Sequence, residues 1–297
     1  MDPFKPYGWL HESEPGTDGK HHSVNTLFLT NKECSFTCVM CDLWKDTIDS
    51  PTPAGAIPEQ IRFALDKLPP ADTIKLYNNG NFFDRKAIPP EDYREIAGLL
   101  DPFNTVIVEN HPKLCSDEVP RFRDMLKGNL EVAMGLETIH PEVLPKLNKQ
   151  ITKENVSEAA GYLHSHDIRT RAFILLNPPF LLDPRENIEW CLNSVRFAFG
   201  QGISTCSIIP TRPGNGIMDR LLENGDFVPP TLHALEETFE RALQLNQGRV
   251  FADTWDLGQF SSCSRCLNDR KNRLEQMNME QCVLPAVDCS CHPAVSD

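Results

Sequence analysis

Asn31-Lys32-Glu33-Cys34-Ser35-Phe36-Thr37-Cys38-Val39-Met40-Cys41-Asp42 carries three cysteines in a C-x3-C-x2-C spacing, directly after the apolar run 26–30. Three thiolates on one short loop can hold three irons of a cubane cluster and leave a fourth iron open to a small molecule. A zinc knuckle would use two-residue spacings closed by a fourth Cys or His, and none follows within the next dozen residues. A disulfide framework fits poorly, because Met1-Asp2-Pro3-Phe4-Lys5 opens polar with no apolar segment behind it, so no secretory leader is expected. The spacing therefore points to a redox iron–sulfur site at Cys34, Cys38 and Cys41.

The chain has 297 residues and is 40% apolar, enough for one large core with a small appendage. Its 11 cysteines, without a leader, imply a reducing compartment, and the expected location is the cytoplasm. No apolar run approaches the roughly 20 residues of a membrane span. The most apolar stretch, 173–182, is broken by Pro178 and Pro179. A formal charge of −13 repels polyanions and argues against a broad nucleic-acid-binding face. The one basic concentration, Arg265, Arg270, Lys271 and Arg273, has helical-spacing partners such as Asp269 and Glu275 and reads as a solvated helix face, with a small bound anion as the alternative.

Runs rich in β-formers recur at 26–30, 73–77, 105–109, 130–136, 169–176 and 203–209. Between them lie helix patterns at 58–68, 90–100, 116–126, 153–166 and 184–199. Such alternation predicts an α/β fold of right-handed βαβ units, a partial (β/α)6 TIM-like barrel. Sites in such folds lie at the carboxyl ends of the strands. There the chain places the cysteine loop, then 77–84 with Asn78, Asn79, Gly80 and Asn81, then 109–112 with Asn110 and His111. Glu137, Asn177 and the loop 211–216 with Arg212 complete a polar ring. The expected organisation is an extension over 1–23, the barrel over 24–217, and a helix (231–245) with a small cysteine-rich module over 218–297.

Over roughly residues 24–215 the chain resembles the radical S-adenosylmethionine (SAM) enzymes, chiefly through the cysteine triplet. The resemblance implies a site-differentiated [4Fe-4S] cluster on Cys34, Cys38 and Cys41. That cluster would bind the amino and carboxylate groups of SAM and deliver an electron, obtained from a donor such as flavodoxin or ferredoxin, to release a 5′-deoxyadenosyl radical that takes hydrogen from substrate. Asn78-Asn79-Gly80-Asn81 occupies the place of the family's Gly-Gly-Glu turn, where glycine allows close backbone approach. Gly135-Leu136-Glu137-Thr138 is similar to the Gly-Leu-Glu-Ser turn of many members, which makes Glu137 a candidate for the SAM ribose or amino end. The chain departs from the family at Met40, where an aromatic usually packs on adenine; Met fills similar apolar space, and Trp44 is an alternative. Residues 74–84 also resemble the radical SAM lyase subunit of archaeosine synthesis, which acts on a modified deazaguanine in tRNA, and more distantly the Elongator catalytic subunit.

Around the same rim, Arg212 is a candidate for holding a carboxylate or phosphate bidentately. Asn110, His111 and Asn177 are candidates for SAM or substrate contacts, with His111 able to exchange protons near neutral pH. Of Arg169 and Arg171 on one expected strand, Arg171 is the candidate to pair with the SAM carboxylate or with Glu137, if it points inward. Cys115, Cys191 and Cys206 fall in predicted helices or strands and read as core. The tail holds Cys263, Cys266, Cys282, Cys289 and Cys291, followed by His292. Three readings stay open there: an auxiliary iron–sulfur cluster, structural zinc in a small ribbon, or free thiols. The expected activity is radical chemistry on a small-molecule or peptide substrate. The alternatives are a lyase acting on a modified nucleoside or tRNA and a non-catalytic iron–sulfur or zinc protein.

Overall fold

A computed structural model describes residues 1–291. Eight strands form one sheet in sequence order: β1 (Gly8–Pro15), β2 (His21–Phe28), β3 (Thr73–Tyr77), β4 (Thr105–Glu109), β5 (Asn129–Glu137), β6 (Arg169–Leu176), β7 (Thr205–Pro210) and β8 (Arg249–Ala252). β1 pairs antiparallel with β2, and every later pair is parallel. The helices are α1 (Ala56–Leu65), α2 (Tyr93–Leu99), α3 (Glu118–Arg123), α4 (Val143–Lys146), α5 (Lys153–His164), α6 (Pro184–Gly200), α7 (Ile217–Asn224), α8 (Leu232–Leu243) and α9 (Leu267–Glu280). The six-strand alternation expected from sequence is present, with two strands added. β1 comes from residues 1–23 and β8 from 218–297, so all three stretches of the chain contribute to one sheet. The first expected strand shifts from 26–30 to His21–Phe28 because its pairing starts in the hairpin with β1. No helix among the described residues is long and apolar enough to cross a membrane.

Strand side chains alternate between two environments, as the pleat requires. Ile74, Leu76, Val106, Val108, Val132, Met134, Ala172, Ile174 and Ile208 join the core formed with helix residues such as Ile57, Ile61, Ile96, Val156 and Leu192. The opposite face at the amino ends of the strands is ionic. Arg171 on β6 donates from Nε to Glu131 on β5 at 2.8 Å and from Nη2 to Glu14 on β1 at 3.3 Å. Lys75 on β3 pairs with Glu12 at 3.0 Å and with Glu14. Arg249 on β8 lies 3.8 Å from Glu131 and donates to the carbonyl of Pro15 at 2.7 Å. Burial opposes ionisation of Glu14, but Arg171 and Lys75 outweigh it and hold the carboxyl down at about 2. Above this floor Phe28, Tyr77, Phe173 and Phe251 form an aromatic layer, with Tyr77 edge-on to Phe173 at 6.2 Å and Arg171 over the Phe251 ring at 5.5 Å.

Among the described residues no ninth strand pairs with the outer edge of β8. Its backbone groups are satisfied by two side-chain amides at the carboxyl end of α9, from Asn278 and the C-cap Gln281: Gln281 Oε1 accepts from Val250 N at 2.9 Å while its Nε2 donates to Val250 O at 2.8 Å. Asn278 does the same for Ala252, at 2.8 Å in both directions. α9 packs against both β8 and β1. It thereby covers an edge that would otherwise offer unpaired amides to another chain. α9 itself is pinned to α8 by Arg270, which donates bidentately to Glu236, and by Arg273, which donates to Glu240 at 2.7 Å.

Replacing Asn278 and Gln281 together by alanine removes these four hydrogen bonds. The expected loss is about 2–4 kcal/mol in urea unfolding, since buried backbone groups are left unpaired, with new dimers in size-exclusion chromatography. An unchanged midpoint and a monomeric profile would show that water serves the edge equally well.

Candidate functional site

The cysteine loop leaves the carboxyl end of β2 and is fixed from several directions. Val39 N donates to Leu147 O at 3.0 Å, and Asn148 Nδ2 donates to Thr37 O at 2.9 Å. Asn215 Nδ2 donates to both Val39 O and Cys41 O, at 2.8 and 3.0 Å. Cys34, Cys38 and Cys41 are all half-buried and free. Met40 packs against the core from the same loop, whereas Trp44 is exposed. Burial raises all three thiols, Cys38 to about 12 and Cys41 to about 11; the ammonium of Lys149 opposes that rise at each of them. A metal that binds here supplies the positive charge that burial withholds.

The loop after β3 approaches Cys34 closely. Asn81 Nδ2 donates to Cys34 Sγ at 3.2 Å, and its Oδ1 accepts from His111 N at 2.7 Å. Gly80 lies so near that a Cβ there would stand 3.5 Å from that of Cys34. Phe82 and Phe83 anchor this loop among Tyr93 and Phe122. Asn79 is left-handed at φ 52°, and its Oδ1 accepts from the Tyr7 hydroxyl at 2.7 Å. Asn78 is fully buried, yet neither its Oδ1 nor its Nδ2 has a partner; Asn79 Nδ2 and Asn177 Oδ1 are likewise unpaired. Buried polar groups without partners are rare enough in proteins to mark a place for a ligand or water.

Glu137 (φ 63°) and Asn177 (φ 56°) adopt the same left-handed conformation directly at the ends of β5 and β6. Non-glycine residues there are strained, and such strain concentrates at functional sites. Glu137 follows a register irregularity in β5 and accepts from Lys149 Nζ at 2.5 Å. A Cβ at Gly135 would meet the ends of both side chains, so any larger residue there would make the pair shift. Lys149 is half-buried; burial disfavours its charge, but Glu137, Cys38 and Cys41 outweigh that and raise its pKa. Lys149, Asn148 and Asn215 were not candidates from sequence. For Lys149 and Asn148 the sequence signal is the short polar turn 148–150, and Asn215 lies in the loop 211–216 already placed in the polar ring.

Other expected contacts are occupied within the protein. Arg171 does not reach Glu137: it lies near the amino end of β6, in the ionic floor with Glu131 and Glu14. Arg212 donates to Asp253 at 2.8 Å and to Trp255 O at 2.5 Å, which fastens the segment after β8 to the end of β7. Asn110 Oδ1 accepts from Phe83 N at 3.3 Å. His111 donates from Nε2 to Lys149 O at 2.9 Å, accepts at Nδ1 from Lys113 N at 3.2 Å, and stacks on Phe36 at 3.7 Å. Burial lowers it to about 4, so it is a neutral brace between Lys149 and the cysteine loop. Cys191 and Cys206 are buried as expected, and Cys115 is half-buried. At the tail Cys263, Cys266, Cys289 and Cys291 converge; Cys282 is exposed outside the group, and His292 lies outside the described residues.

No protein-family model matches the chain. It is 24% identical over 289 residues to the uncharacterized protein MJ0550 of Methanocaldococcus jannaschii, covering 90% of this chain and 79% of that protein. Among solved structures it resembles Elp3 of Methanocaldococcus infernus, with a TM-score of 0.56 and 15% identity over 74% of this chain and 59% of the other. It also resembles Streptococcus suis SuiB bound to the precursor peptide SuiA, with a TM-score of 0.56 and 14% identity over 76% and 48%. The chain thus spans between about half and three-fifths of these two structural relatives.

Glu109, at the end of β4, accepts from Asn78 N at 3.1 Å, yet burial lifts its carboxyl to about 7. Below its ordinary value of 4.5 the group is neutral in both folded and unfolded chains. As pH rises from 4.5 to about 7 the unfolded chain releases a proton that the folded one keeps, so stability falls, by on the order of 3 kcal/mol. Glu109→Gln keeps the acceptor without the charge, and in urea unfolding of the apoprotein it is expected to be more stable than wild type at pH 8 but not at pH 4. An equal difference at both values would exclude a neutral buried carboxyl. The curled sheet and its helical jacket, with the cysteine loop at the carboxyl end, have the α/β partial-barrel fold that this chain shares with the Elp3 and SuiB structures.

Proposed function

We propose that this chain is a radical SAM enzyme whose [4Fe-4S] cluster is held by Cys34, Cys38 and Cys41. The observation that carries the reading is one juxtaposition. The half-buried cysteine triplet shares the carboxyl end of the sheet with the unpaired amide groups of Asn78, Asn79 and Asn177 and with three left-handed residues. When bound, the cluster and SAM supply a one-electron cleavage that frees a 5′-deoxyadenosyl radical able to take hydrogen from an unreactive C–H bond.

The protein's own groups divide the remaining tasks. The ammonium of Lys149 offsets part of the thiolate charge, while Glu137 fixes its position. Asn78, Asn79 and Asn177 offer donors and acceptors for the polar groups of SAM, held in place by strained backbone and by Phe82 and Phe83 beneath. Met40 supplies apolar surface beside the third cysteine. The segment after β8, tied down by Arg212, closes one side of the mouth and limits quenching by solvent. The substrate is a small molecule or peptide. The likeness to SuiB, solved with a precursor peptide and also with SAM, supports that class, and the net charge of −13 speaks against tRNA.

The test is 5′-deoxyadenosine released from SAM by anaerobically reconstituted protein with a low-potential reductant. Wild type is expected to release it, and Cys34→Ala/Cys38→Ala/Cys41→Ala to release at least 100-fold less, roughly the loss expected when the group that does the chemistry is removed. Equal release from both, or none from wild type shown to hold a reducible cluster and to be saturated with SAM, would refute the reading.

A further inference from the structure

We propose that Cys263, Cys266, Cys289 and Cys291 bind a single zinc ion in a closed structural site, and that this ion clips α9 onto the open edge of the barrel. The ligand sulfurs of these four cysteines all lie within 4.8 Å of one another. Cys263 Sγ is 3.9 Å from Cys289 Sγ, and Cys266 Sγ is 3.5 Å from Cys291 Sγ. Four thiolates on one tetrahedral zinc, with bonds of about 2.3 Å, stand about 3.8 Å apart. In a cubane each thiolate points outward from a different iron, so its four ligands are spread much more widely. The spacing is too long for disulfides, whose sulfurs are about 2.05 Å apart. Tail geometry therefore favours zinc over an auxiliary cluster, and the convergence of four sulfurs speaks for a bound ion over unconnected thiols.

The surroundings fit a closed site. The two halves, Cys263-Ser264-Arg265-Cys266 and Cys289-Ser290-Cys291, are joined by Arg265 Nη2 donating to Ser290 Oγ at 3.0 Å. Cys266 is the N-cap of the 14-residue α9 and makes no side-chain cap hydrogen bond, so the positive end of the helix faces the thiolate group. All four protein ligands are present, which leaves no open coordination position for substrate and marks a structural role. Between the two halves run α9 and the return segment, held by Arg273 donating to Pro285 O at 2.8 Å. The ion would thus close a loop around the helix whose Asn278 and Gln281 complete β8. This inference does not rest on the proposed activity.

The test uses the full-length Cys34→Ala/Cys38→Ala/Cys41→Ala variant, in which only the tail can hold metal, purified with zinc, iron and sulfide all supplied under anaerobic conditions. The expected content is one zinc per chain with no stoichiometric iron, unchanged by Cys282→Ser and lost in Cys263→Ser/Cys291→Ser. About four irons per chain with sulfide and no zinc would overturn the proposal, as would loss of zinc on Cys282→Ser alone. Because the double serine variant could fail to fold, cobalt exchange in the otherwise intact tail gives a second readout. Intense visible bands of tetrahedral tetrathiolate cobalt are expected, and a weak octahedral spectrum would refute the site. With zinc removed by chelator, amide exchange at Val250 and Ala252 is expected to rise at least tenfold; no rise would refute the clip.

Discussion

The guanidinium of Arg171 lies between Glu131 and Glu14, and the curvature of the sheet depends on that placement. Glu14 belongs to the first strand and Arg171 to the sixth, so their contact crosses the barrel interior and does not run along neighbouring strands. Lys75 and Arg249 bring the third and eighth strands to the same cluster. A buried ion cluster adds little net stability over a well-packed apolar one, because desolvation offsets most of the attraction. Its contribution here is geometric. Removing one partner would strand a charge in the interior at a cost of about 3–5 kcal/mol, so arrangements that leave the strands uncurled are excluded.

Above the ionic floor the interior changes character with height. The aromatic layer of Phe28, Tyr77, Phe173 and Phe251 separates the floor charges from the cysteine loop. At the mouth the ion pair of Lys149 with Glu137 lies next to the thiols. Cations of the floor are thus consumed by floor carboxylates, and Lys149 exerts a positive field on all three cysteines. The pair sits where β5 shifts register at its end and where Gly135 leaves room beside it.

Asparagine does much of the positioning around this mouth. Asn148 and Asn215 hold the cysteine loop through its carbonyls, Asn81 reaches Cys34, and Asn79 and Asn177 take left-handed backbone that few side chains tolerate. The tail applies the same economy of amides elsewhere: Asn278 and Gln281 replace a missing strand. In both places a side chain with one donor and one acceptor group mimics the peptide unit beside it.

Local sequence determined the cysteine triplet, the strands 73–77, 105–109 and 169–176, and the ring of polar residues after them, because short-range spacing and alternation encode each of these. It did not reveal β8, which is four residues long, and it read the basic stretch of α9 as a solvated helix face, whereas Arg270 and Arg273 are buried against Glu236 and Glu240. Nor could it decide between Arg171 as a cofactor ligand and Arg171 as part of the floor, since height along a strand relative to distant partners is not written in the strand itself. Lys149 gained its importance only when a turn far along the chain was laid against the cysteine loop. Residue types and their local order settled what chemistry the chain can hold. The pairing of groups far apart in sequence decided where each charge resides, because a buried charge is tolerated only where an opposite one is brought to meet it.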